Sequence, residues 1–158
     1  MKFTNSLFHV MFVLILAIGA AYAQTDKGAY APFNTDDSHI ALQGYSPVSY
    51  IELGLAQRGS AAYKTEYGGL KYFFTGAEQK ARFDANPGKY LPQYGGWCAT
   101  GIAVGAHFRT DPNKFLVRNG KLFLFLYDLE VDALQLWLQD EQGMAGKADQ
   151  NWRKMHKL

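Results

Sequence analysis

Cys98 is the one cysteine of the chain, set in Tyr94-Gly95-Gly96-Trp97-Cys98 and followed by a second glycine-bearing stretch, Gly101 to Gly105. A single thiol excludes intramolecular disulfides and the CxxC pairs of zinc ribbons and redox enzymes. Three chemistries stay open for it: a soft-metal ligand, a nucleophile, or a small buried hydrophobe. His107 follows nine residues later, His39 lies well upstream, and His156 sits among lysines at the C-terminus. Copper and zinc accept imidazole and thiolate together, so Cys98 with His107 is the candidate metal pair, copper before zinc. Their spacing fits no helix face and no zinc motif, so only folding would join them. The same two residues are the candidate nucleophile and base of a cysteine-dependent enzyme or thiol redox partner. No peptidase signature surrounds Cys98, and Asp36-Asp37, Glu52, Glu66 and Glu78 show no acid–base pairing. Fingerprints of serine hydrolases, zinc peptidases, P-loops and dinucleotide binders are absent. His39 and His156 read as polar surface residues.

The elements that must position these groups are short. Ala61 to Tyr67 and Leu70 to Phe74, joined by Gly68-Gly69, read as a β-hairpin. Thr75 and Glu78 have the spacing of a capping box opening a helix over 76–85, with Ala81 and Phe83 turned to the core; Asn86-Pro87 ends it. Lys114 to Arg118 and Lys121 to Phe125 flank Asn119-Gly120, the pair a type I′ hairpin turn favours. Asp128 reads as the N-cap of a helix from Leu129 to about Glu141 with Leu129, Ala133, Leu136 and Trp137 inward, and Gly143 as its C-terminal stop. A last short helix spans 144–152, leaving 153–158 as a fraying tail. Strands and helices do not alternate as in βαβ units, so the expected fold is a single α+β domain of small antiparallel hairpins packed with helices. The tyrosines and phenylalanines concentrated between 45 and 97 are its expected core, with a tyrosine-rich ligand cleft beside Cys98 as the other reading.

Residues 1–23 form a separate object. Lys2, the apolar run Val10 to Ala20 and Ala21-Tyr22-Ala23 have the order of a secretory signal peptide, with an apolar run too short for a membrane span. A periplasmic or secreted location follows, with no membrane attachment after cleavage. Residues 24–38 are polar and aperiodic and read as a flexible leader to a domain over 39–152. The full chain has 158 residues, 48% hydrophobic and 15% aromatic, a composition that excludes disorder. A formal charge of +2 gives no nucleic-acid signature.

The runs Ala41 to Tyr50 (ALQGYSPVSY), Tyr67 to Phe74 (YGGLKYFF), Phe83 to Tyr90 (FDANPGKY), Pro92 to Ala99 (PQYGGWCA) and Lys147 to Trp152 (KADQNW), in this order, resemble the exported, stand-alone members of the YHS domain family. Short YHS modules also accompany copper-transporting ATPases, and the resemblance implies an accessory protein that binds a soft transition metal through cysteines. Here Ser49, Thr75 and Gln79 stand where those modules carry cysteines, and Cys98 is the sulfur that is left. Three function classes therefore stay open: a metal-binding accessory protein, a Cys98–His107 enzyme, and a ligand-free interaction module with Cys98 buried.

Overall fold

The computed structural model describes residues 32–126 and 130–158, and these lie in one compact unit. It is a mixed α+β arrangement of two antiparallel hairpins and five α-helices among the described residues. The expected fold class is the observed one. The signal segment, most of the leader, Asp128 and Leu129 lie outside the described residues.

Helix α1 (Pro47–Leu53) has a local cause for each end. Ser46 caps it by accepting from the Ser49 N–H, Pro47 takes the first-turn place where its missing N–H costs nothing, and Gly54 closes it in the left-handed conformation. Strands β1 (Ser60–Tyr67) and β2 (Leu70–Phe74) pair across Gly68-Gly69 as expected. Leu70, Tyr72 and Phe74 alternate inward against Phe83 of α2 (Ala77–Ala85). The capping box does not form. Glu78 pairs with Arg82 one turn on, and the Thr75 N–H donates to the Gln79 side-chain oxygen instead. Gln79 is drawn inward because Ser46 and Ser49, both buried, need a partner there. Ala81 is exposed, so Phe83 alone of the two expected residues reaches the core.

Helix α3 (Ala99–Ala103) follows Cys98, and β3 (Asp111–Arg118) and β4 (Lys121–Phe125) form the second hairpin. Its turn has φ of 52° at Asn119 and 72° at Gly120, both in the left-handed region a type I′ turn demands. The helical end of the chain is divided differently from the expectation. Helix α4 (Ala133–Gln139) is capped by Asp132, and α5 (Glu141–His156) begins directly after it with Asp140 as its cap. Gly143 is therefore no C-terminal stop: its N–H donates to Asp140 Oδ1 at 3.0 Å, inside the first turn of α5. Leu136 points to solvent, while Ala133 and Trp137 are buried as expected. The segment read as a fraying tail continues α5 through His156, and Lys157 ends it in the left-handed conformation.

The last part of the expected leader is docked rather than loose. Asn34 is only 8% exposed, and its side-chain amide donates to the Gly96 carbonyl at 2.9 Å and to Thr110 Oγ1 at 3.0 Å. Gly95, at φ +59°, lets this segment pass so closely that a Cβ would sit 1.9 Å from the Pro32 carbonyl oxygen. Among the described residues, no helix is long and apolar enough to cross a membrane.

Candidate functional site

Cys98 stands where the loop from Gly96 enters α3. Its N–H donates to the Phe108 carbonyl at 3.1 Å, and it bridges Leu124 of β4. The side chain is 1% exposed, and Sγ accepts from the Gly101 N–H at 3.4 Å, serving as the N-cap of α3. Burial pushes the thiol above its usual range, outweighing the backbone donors that favour the thiolate. The sulfur is thus held neutral within a core that includes Ile102, Phe125 and Trp137.

His107 lies on the stretch between α3 and β3, half-buried against two indoles. Trp97 meets it edge-on at 5.1 Å between ring centroids, and Trp152 lies at 6.2 Å. His107 Nε2 stands 3.2 Å from Nε2 of His156, in the last turn of α5. One ring donates and the other accepts in this contact, since two lone pairs cannot face each other. Trp152, four residues before His156 and so on the same helix face, packs on it at 3.8 Å.

The position of α5 is set by hydrogen bonds to the surrounding core. Asn151 Nδ2 donates to the Ile102 and Ala103 carbonyls at 3.0 and 3.1 Å, serving the open C-terminal end of α3. The Tyr94 hydroxyl donates to Asp149 at 2.9 Å, and Ala148 is buried. These contacts fix the helix whose last turn carries His156. Burial pushes both imidazoles below their ordinary value, and the neighbouring His156 lowers His107 further.

Neutral imidazole is the ligand form, but one Nε2 carries the proton of this contact, and that proton would have to move to Nδ1 before both Nε2 atoms could ligate a metal. Two nitrogens sharing one tetrahedral zinc at about 2.0–2.1 Å stand roughly 3.3 Å apart, and the observed separation is 3.2 Å. The separation is compatible both with the hydrogen bond and with two imidazoles sharing one ion; among the described residues, no group of three or more His, Cys, Asp or Glu side chains is placed to hold a metal ion.

The structure thus brings His107 to His156, and it commits the Cys98 sulfur to capping α3. His39 is exposed in the turn after Asp36, at φ 56°, with its carbonyl accepting from the Lys71 N–H. The aromatic residues between 45 and 97 serve chiefly as core, Tyr50, Tyr72, Tyr90 and Tyr94 all being buried. A cavity of about 660 Å³ lies elsewhere, over Tyr94, Phe123 and Trp137. On its rim, Arg118 holds both oxygens of Glu141 at 2.8 and 3.0 Å.

Comparisons of the chain with models of known families, with curated proteins and with solved structures find no match.

Proposed function

We propose that this chain is an exported, YHS-like accessory protein that binds a transition-metal ion, copper before zinc, on His107 and His156 rather than on Cys98. The single observation that carries the reading is the 3.2 Å separation of the two Nε2 atoms within a partly desolvated, aromatic-walled site. Copper leads because imidazole sites follow the Irving–Williams order, which places Cu(II) above Zn(II). With two protein ligands the site is one of capture and release, because a closed structural site needs four. Export rests on the residue order of 1–23, and the family reading on the five sequence runs. An interaction module without metal is the second reading, favoured by the buried Cys98. The cysteine-dependent enzyme has the weakest support, since a sulfur held neutral and buried is a poor nucleophile.

The indoles of Trp97 and Trp152 lie beside the two imidazoles and supply the readout. Titration with Cu(II) is expected to quench tryptophan fluorescence saturably at micromolar concentration, with Zn(II) competing more weakly. His107→Gln and His156→Gln abolish the saturable phase, and Cys98→Ser keeps it. Quenching lost in Cys98→Ser but kept in both histidine variants would return the site to the thiol. No saturable quenching at all would leave the interaction module.

A further inference from the structure

A separate cavity of about 330 Å³ opens where residues 34–43 pass Arg58 and Arg109, both of which line it. Among the described residues, neither arginine is in an ion pair. Each guanidinium is held instead by neutral groups. Arg58 lies over the Tyr45 ring at 5.8 Å and Arg109 over the Trp97 ring at 5.9 Å. Arg109 Nη1 also donates to Asn34 Oδ1 at 3.2 Å. Asn34 is itself fixed, because both its Nδ2 bonds end on buried acceptors. Arg109, stacked and anchored in this way, gives up little freedom when it takes a ligand, while Arg58 is guided by the Tyr45 ring alone.

The rest of the lining is polar but mostly neutral, with Thr35, Ser38 and Gln43 contributing. Gln43 is held in place by donating to the Thr110 carbonyl at 2.7 Å. One carboxylate, Asp36, is present, and its Oδ1 already accepts from the Ser38 N–H at 2.9 Å and the Ser38 hydroxyl at 2.5 Å. Two positive charges thus face one negative charge, that of Asp36, whose carboxyl the Ser38 turn chiefly, and Arg109 to a lesser degree, hold below its usual range. We propose that this cavity binds a small oxyanion, a carboxylate or a phosphate, between Arg58 and Arg109. The planar guanidinium fork matches both groups, and the volume sits at the small end of ligand pockets.

Calorimetric titration of the full chain with inorganic phosphate and with citrate, at low ionic strength, tests the proposal. Saturable binding of at least one of them is expected. Affinity should fall about tenfold or more in Arg58→Gln and in Arg109→Gln, the loss typical of a charge-assisted contact. It should rise in Asp36→Asn, which removes the like charge. Lys64→Gln deletes one positive charge on β1, away from the cavity lining, and should leave affinity unchanged. Arg58→Gln keeps the test decisive if Arg109→Gln also loosens the Asn34 segment, which far-UV circular dichroism would reveal. Absence of saturable binding by both anions overturns the proposal. So does a loss in Lys64→Gln equal to that in the arginine variants, which marks general charge attraction. Saturation by phosphate alone or by citrate alone supports the site and identifies the kind of oxyanion.

Discussion

Sulfur is a weak acceptor, yet Cys98 caps α3 with it, which explains how a lone thiol in a glycine-rich run ends as a packing residue. The sequence singles out Cys98 and His107 as one pair, and the structure seats the first as a helix cap and the second beside His156. His156 was legible only as part of a basic tail. Its partner lies 49 residues away, a contact no local spacing reports. The available signal was the four-residue step from Trp152 to His156, which puts both on one helix face. The pair also has a consequence for stability. A histidine whose folded value lies below its ordinary 6.5 binds fewer protons folded than unfolded, so its contribution is complete above 6.5 and is lost as pH falls through the lower folded value. Glu52, held down to about 2 by the Tyr90 hydroxyl with Lys89 and Arg82, loses its own contribution only below its ordinary 4.5. Both losses run toward acid, and that of the histidines begins at the higher pH. The metal-free protein should show a melting temperature that falls as pH drops from 7 to 5, and the double variant His107→Gln/His156→Gln should show a flatter profile there. Equal slopes in the two proteins would mean that the imidazoles do not titrate against burial.

Turn chemistry made both hairpins readable, while helix ends were readable only where no tertiary partner competed for the capping groups. Asn119-Gly120 sets its turn by backbone preference alone, and nothing stands within 4 Å of a Cβ at Gly120. A substitution there thus tests conformation without a clash. Gly120→Val should destabilise the protein by about 1–2 kcal/mol, the cost of forcing an L-residue into the left-handed region and more for a β-branched one. Thermal melting checks it, and a variant as stable as the parent would contradict the type I′ geometry. The Thr75–Glu78 box failed for a reason outside its own window, because Gln79 was claimed by Ser46 and Ser49, some thirty residues away. Gly143 misled in the other direction. A glycine after an apolar helical run reads as a stop, but Asp140 and Gly143 together also make a helix start, and a Cβ at Gly143 would lie 2.1 Å from an Asp140 carboxylate oxygen. Sequence pattern alone does not rank these two roles.

The molecule as a whole is organised around β4. Its Leu122 and Leu124 belong to one core with Tyr50, Phe74 and Phe83, while Phe123 and Phe125 belong to a second with Ile102 and Trp137. A two-stranded antiparallel sheet ordinarily leaves one face to water, but here side chains on both faces of β4 are buried. This accounts for the unbroken apolar run Leu122 to Phe125, where a half-buried strand would alternate. The run was visible in the sequence; that it joins two cores was not, because the residues completing each core come from distant elements. Shared use of one strand predicts that the two cores unfold together. All three tryptophans, Trp97, Trp137 and Trp152, lie in or against the second core, so fluorescence reports on that core alone. Leu124→Ala removes buried surface from the first core and should cost about 2–5 kcal/mol. If the cores are coupled through β4, this substitution shifts the tryptophan transition in urea by as much as the far-UV circular dichroism transition, and the two curves superimpose. A tryptophan transition left in place while the dichroism curve moves or splits would show two independently stable halves, with β4 a boundary between them rather than a common wall.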